Sequence, residues 1–371
     1  MAAASLHSSS SRPALEVDSA NTKVATKTYR LLGVTFRCCA SLPRLAPLRV
    51  SPIEAGDAGL EVCFAAPPST IRRLNEADWQ QLAPREPSRD EQPPGVRLAR
   101  HRTLGHYRFR YRDGAAFLLR ADGGRVWVEH PPAMSSEDIC SYLLGPVFAL
   151  VLRLRGIVCL HASAVCTASG AVAFLGQAHA GKSTLAASFA LAGHPALSDD
   201  IATLVPEGGH FQVAPDAPYL NLWPRSAELL FGDADALPHL STTWDKRFLA
   251  LDPHHRCDRP QAQATPARAQ RLVAIYELAT AERAGAPTRI LPHTGHRALI
   301  TLVHYARAAA LLSPAQRPGE LEVLAAVVRS AVPIRRIERA LHARPETVRD
   351  TILADLRALG LPPRDAACAD R

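Results

Sequence analysis

Lysine is almost absent from this chain. Of its 43 basic residues only Lys23, Lys27, Lys182 and Lys246 are lysines, and the other 39 are arginines. Arginine's planar fork suits paired contacts, whereas a compact, flexible ammonium suits a tight cradle, so a lysine retained in such a chain marks a place where arginine fits poorly. Long apolar runs are missing too. The longest, Leu143 to Leu152, falls short of the roughly 20 residues that cross a bilayer and is followed by Arg153 and Arg155; no membrane span is expected. The N-terminus lacks the apolar core of about 7–15 residues of a secretory signal. Being rich in Ser and Ala, residues 1–27 read as a disordered leader, and a cytoplasmic location is expected. The eight cysteines form no C-x-x-C pair and lie mostly among apolar neighbours, which excludes a zinc ribbon or redox dithiol by spacing and suits reduced, buried thiols.

What is present is enough for a large core: 371 residues, 47% of them hydrophobic, with a net charge of +8. That length suggests two or three domains. The charge could attract nucleic acid or acidic peptides, but it decides nothing alone, because the arginine, alanine and proline usage also follows from base composition.

The stretch GQAHAGKST, Gly176 to Thr184, organises the rest. It fits G-x-x-x-x-G-K-[ST] and lies between an apolar run (171–176) and an amphipathic run (182–192), the strand-loop-helix context in which the motif binds phosphate. Backbone N–H groups of Gly176, Gln177, Ala178, His179, Ala180, Gly181, Lys182, Ser183 and Thr184 are the candidate cradle. The helix N-terminus adds positive potential, Lys182 reaches the β- and γ-phosphates, and Ser183 ligates Mg²⁺. A nucleoside triphosphate, ATP, with Mg²⁺ is the expected ligand.

Before this loop, residues 28–133 read as a smaller β-rich domain of short strands: RLLGVTFR, LEVCFA, and a meander of YRFRYR, AAFLLR and RVWVE joined at Asp113-Gly114 and Asp122-Gly123-Gly124. PREPSRDEQPPG, near 84–95, reads as a loop. Tyr107, Phe109 and Tyr111 alternate with arginines, the pattern of a half-buried strand, although an RNA reader could use it for stacking. Ser135 or Ser136 starts a helix that breaks at Gly145-Pro146 and ends at Gly156. From there GIVCLHASAV is a strand carrying His161, Gly193 caps the loop's helix, and IATLVPE with HFQVAP form a hairpin. YLNLWPRSAELLFG is a strand entering a helix, LVAIYEL a buried strand, Thr294 to Leu312 a buried helix, PIRRIER a strand, and Pro345 the start of a last helix.

Asp199 follows Lys182 by 17 residues, room for one helix, a turn and a short strand, so Asp199 and Asp200 should emerge beside the phosphate site. Two acids there can divide the work of phosphoryl transfer, one on the metal side and one accepting the proton of the attacking hydroxyl.

His161, fifteen positions before Gly176, then the loop, AGH at 192–194 and the Asp-Asp pair resemble the HPr serine kinase/phosphorylase catalytic domain. The longer run LHASAV to ALSDDIATL, with LNLWP and DKR, resembles the HPr-kinase-like proteins of ribosomal-peptide clusters, lasso-peptide precursor kinases among them. The matched motifs cover about 160–250. The resemblance implies an α/β P-loop kinase domain of the HPr kinase C-terminal type over 134–371. It also implies ATP- and Mg²⁺-dependent transfer to a serine-type hydroxyl of a peptide or protein. By position, Asp199 is the general base, Asp200 with Ser183 the metal side, His161 an orienting neighbour, and Arg247 with Lys246 a positive charge for the transferring group. A homo-oligomer is left open, and a nucleic-acid partner is not expected. Two other readings stand beside it. One is a small-molecule kinase; the other is an ATP-responsive DNA-binding regulator using IRRIERALHARPETVRDTILADL as a helix-turn-helix.

Overall fold

The structure, a computed structural model, describes residues 26–51, 59–82, 95–241, 244–251, 268–280, 287–308, 311–340 and 343–361. Residues 1–25 of the expected leader, the proline-rich loop at 84–94, Cys257 and Cys368 lie outside the described residues, and Lys27, the expected end of the leader, already belongs to the first strand. The fold is mixed α/β with several sheets.

The first sheet is built from β1 Lys27–Leu31, β2 Val34–Cys38, β3 Leu60–Cys63, β4 Trp79–Leu82, β5 Val96–His101, β6 Tyr107–Tyr111, β7 Ala116–Leu119 and β8 Arg125–Glu129. Their order is β1-β2-β3-β8-β7-β6-β5-β4. RLLGVTFR, expected as one strand, is a hairpin instead: Leu32 and Gly33 take positive φ (51° and 80°) and turn the chain between β1 and β2. The meander expected for β6 to β8 is present, all antiparallel. Along β6 the aromatics are buried and the arginines lie on the other face, where Arg108 sits over the Trp79 ring and pairs with Glu76.

The helices Ser136–Tyr142 and Phe148–Leu154 flank the break at Gly145-Pro146, where Gly145 leaves helical geometry. Ser135 caps the first by accepting from the Asp138 N–H at 3.1 Å. Leu143, Val147, Phe148 and Leu152 share one core with Phe36, Phe117 and Val126. These helices therefore bury their apolar faces against the first sheet while leading into the second.

That second sheet contains β9 Val158–Leu160, β10 Ala162–Thr167, β11 Gly170–Leu175, β12 Ala196–Ser198, β13 Ala202–Glu207 and β14 His210–Val213. A separate two-stranded pair, β15 Tyr219–Leu222 and β16 Arg247–Ala250, precedes β17 Gln270–Thr280, β18 Arg289–His293 and β19 Ile334–Arg339, which return to it. At its centre β17 runs parallel to both β11 and β19. Parallel strands buried on both faces need near-continuous apolar sequence, which GAVAFL and LVAIY supply.

Two helices differ from the expectation. The one expected over Thr294 to Leu312 covers only Gly295–His304 and is half exposed, with Ile300 at 63%. After it the chain turns back along β9, where the Arg307 N–H bonds the Cys159 carbonyl at 2.8 Å. The proposed helix-turn-helix is not formed, because residues 334–339 are β19, inside the sheet, and only Pro345–Ala358 is a helix. No helix among the described residues is long and apolar enough to cross a membrane.

Candidate active site

The 176–181 loop joins β11 to the helix Lys182–Leu191, as its sequence requires. Its shape depends on two left-handed positions, His179 (φ 63°) and Gly181 (φ 84°). At Gly176 a side chain is excluded: a Cβ there would lie 2.8 Å from the Ala180 Cβ. Arg339, the last residue of β19, fastens the loop by donating to the Ala180 carbonyl at 2.6 Å. The His179 ring stacks on Trp223, with centroids 5.2 Å apart. The first N–H groups of a helix have no intrahelical partner, and here no side chain caps them. Lys182 is buried and folds back on the loop, its Nζ donating to the Gly176 and Gln177 carbonyls at 2.9 and 3.0 Å. Burial pushes its pKa down to about 8, against the pull of Asp200 and Asp199.

Asp199 and Asp200 follow β12 and point different ways, because Asp200 adopts a left-handed backbone (φ 64°). Asp199 is buried and held by four donors. Its Oδ1 accepts from the Ser183 and Ser163 hydroxyls at 2.7 and 2.8 Å and from the Asp200 N–H at 3.1 Å; its Oδ2 accepts from the Asn221 N–H at 3.0 Å. Burial and the neighbouring Asp200 charge raise its pKa. Asp200 keeps a third of its side chain exposed. Burial opposes its charge, but the cations Lys246, Arg307 and Lys182 outweigh that and hold its pKa below the usual carboxylate range. A third carboxylate, Asp216, stands behind the pair, accepting from the Asp199 and Ala217 N–H groups at 3.4 and 2.7 Å; burial raises its pKa well above normal.

His161 sits in the break between β9 and β10, not within a single strand. The break is held by the His161 N–H donating to the Tyr305 carbonyl at 2.7 Å. Its Nδ1 lies 3.2 Å from the Asp200 carbonyl, which can only accept, so Nδ1 carries the proton and Nε2 the lone pair. Burial, with Arg307 and Lys182 nearby, pushes the ring's pKa down to about 3, and the imidazole is neutral at physiological pH.

Lys246 and Arg247, adjacent in sequence, part company. The Lys246 Nζ lies 5.3 Å from the Trp223 ring and faces the cavity. Arg247 begins β16, and its guanidinium donates to the Ala234 and Asp245 carbonyls and pairs with Asp235 at 2.8 Å and Asp245 at 3.3 Å. It does not line the cavity, so the charge expected of it there is absent. Arg307 stands in its place, a residue that nothing in the sequence distinguished from the other arginines.

Loop, carboxylates, His161, Lys246 and Arg307 line one cavity of about 1750 Å³. No protein-family model and no curated protein matches this chain. Among solved structures it is similar to the Hpr(Ser) kinase/phosphatase from Coxiella burnetii, at 12% identity and a TM-score of 0.29, covering 54% of this chain and 98% of that one. A superposition that loose carries no inference about the reaction.

Among the described residues no three His, Cys, Asp or Glu side chains form a metal cage. The donors present still fit Mg²⁺, which keeps several waters and binds through one or two carboxylates together with phosphate oxygens. The Ser183 hydroxyl and the Asp199 carboxylate are hard oxygens side by side. Asn221 Oδ1, on a residue that also lines the cavity, is buried without a partner among the described residues.

Proposed function

We propose that the chain is an ATP- and Mg²⁺-dependent phosphotransferase that moves the γ-phosphoryl group to a serine-type hydroxyl of a peptide or protein. One observation carries the reading. A half-buried Ser183 bonded to the buried Asp199 closes the head of the glycine loop, and a charged, partly exposed Asp200 beside neutral His161 faces the same cavity.

The roles follow from those environments. Ser183 and Asp199 would hold Mg²⁺, which when bound neutralises phosphate charge. This exchanges the two aspartate roles implied by position in the sequence, because the Ser183 hydroxyl bonds Asp199 and not Asp200. Lys182 leaves the loop carbonyls for the β- and γ-phosphates. Asp200 accepts the proton of the acceptor hydroxyl as its oxygen bonds to the γ-phosphorus and the bond to ADP breaks, so that ADP leaves with the electron pair. Lys246, Arg307 and Lys182 keep Asp200 ionised, the form in which it can accept, at any ordinary pH. His161 fixes the Asp200 backbone through Nδ1, and so holds the carboxylate that takes the proton. Lys246 and Arg307 balance charge on the transferring group, and Arg247 braces the turn before β16.

Incubation with γ-labelled ATP tests this. Label appears on a peptide or protein serine, a lasso-peptide precursor being one acceptor to try, and Lys182→Ala abolishes it together with nucleotide binding. Transfer to a free metabolite alone would support the small-molecule kinase instead; wild-type nucleotide binding by Lys182→Ala would sink both.

A further inference from the structure

The cavity is larger than its nucleotide. Pockets for ligands of that class run to roughly 300–1,000 Å³, against about 1750 Å³ here. The surplus space extends to the first sheet, where Gly95 to Leu98 and Phe109 to Arg112, at the ends of β5 and β6, form part of the wall. Those residues are distant in sequence from the glycine loop, and nothing in the phosphoryl-transfer reading uses them.

Charge is uneven across this space. Eight arginines and lysines line the cavity against three carboxylates, and all three carboxylates, Asp199, Asp200 and Asp216, belong to the phosphoryl end. At the far end Arg97 and Arg112 are exposed, and neither guanidinium has a hydrogen-bond or ion-pair partner among the described residues. Arg112 lies across Gly95: a Cβ at that glycine would come within 3.0 Å of its Nε, so the absence of a side chain leaves room for the guanidinium. Arg307 links the two ends, its charge acting on Asp200 and His161 on one side and on the Tyr111 hydroxyl on the other. Between them the wall is apolar and aromatic, with Tyr111, Leu144, Leu240 and Trp244. Such a surface favours a chain that threads apolar walls and ends among cations; like charge is rejected by the same field.

We propose that the β5–β6 end of the cavity is the acceptor-binding channel, and that it takes a peptide segment whose serine is flanked by acidic side chains, read by Arg97 and Arg112. This rests on the phosphotransferase reading and names its acceptor class. A basic segment is rejected by the unpaired arginines, and a neutral one leaves them unmatched.

Three serine peptides blocked at both ends, flanked by glutamate, glutamine or lysine, test it with γ-labelled ATP; binding of a fluorescent ATP analogue is followed in the same samples. The wild-type protein should favour the glutamate peptide over the glutamine one by tenfold or more in kcat/KM and ignore the lysine one. In Arg97→Gln/Arg112→Gln, two exposed positions, that preference should vanish through a rise in peptide KM, with kcat and the KM for ATP within twofold of wild type. Equal use of the three peptides, a preference that survives in the double variant, or no labelled peptide from a protein that binds the analogue would each overturn the proposal. Failure of the wild type to bind the analogue would overturn the phosphotransferase reading beneath it.

Discussion

Raising the pH should loosen nucleotide binding through one group. In the free protein Lys182 is buried and its pKa is pushed down to about 8, with Asp200 and Asp199 favouring its charge and Arg307 and Lys246 opposing it. At pH 7 it is about nine-tenths protonated; at pH 9.5 only about 3% is. A phosphate bound against the ammonium would restore it toward its ordinary range, so above pH 8 binding would take up a proton. The sign is then fixed: affinity falls as pH rises through about 8, approaching tenfold per unit, or about thirtyfold by pH 9.5. The phosphate adds little to the slope, since a terminal phosphate with its last pKa near 6 is already about nine-tenths ionised at pH 7. Titration of a fluorescent ATP analogue between pH 7 and 9.5 measures it, with Lys182→Met as control, weak throughout and nearly flat. A flat wild-type profile, or the same slope in Lys182→Met, would refute the burial of this lysine as the cause.

Three further outcomes are expected. Gly176→Ala forces the loop apart at Ala180, so nucleotide affinity should fall about tenfold while thermal unfolding moves by only a few degrees, a loss of about 1–3 kcal/mol from overpacking; unchanged affinity would show that the loop gives way freely. Arg247→Ala removes the brace on Ala234 and Asp245 and should lower stability by about 1–3 kcal/mol in urea, with kcat of the folded protein kept; a large kcat loss at wild-type stability would return Arg247 to the chemistry. Arg153→Ala leaves Glu320 buried without its 2.7 Å partner, and a destabilisation of about 3–5 kcal/mol is expected by urea unfolding; less than 1 kcal/mol would mean the pair is hydrated.

Local features of the site were readable in advance, and those set by distant contacts were not. The loop and its helix follow from GQAHAGKST, and the carboxylates from a spacing that only one helix and one short strand can fill. The different surroundings of Asp199 and Asp200 were hidden, because they depend on the left-handed backbone at Asp200 and on Ser163 and Asn221 arriving from β10 and β15. Arg307 was hidden for two reasons. It is one arginine among 39, and the apolar pattern of 294–312 continues past His304, where the helix ends and the chain turns to run beside β9. Asp216 carries no local signal at all. In the first sheet the meander was legible from its turns, but the parallel pairing of β3 with β2 and β8 joins residues far apart, such as Val62 with Val126, which no short-range pattern encodes.

Single-turnover transfer from γ-labelled ATP across a range of Mg²⁺ concentrations separates a proton-accepting Asp200 from an Asp199 on the metal side. Asp200→Asn should slow the chemical step by about 10²–10⁴-fold at every Mg²⁺ concentration while still binding nucleotide. Asp199→Asn should shift the Mg²⁺ requirement upward and recover in part as Mg²⁺ rises. Wild-type transfer by Asp200→Asn, or rescue of that variant and not of Asp199→Asn by added Mg²⁺, would contradict the account.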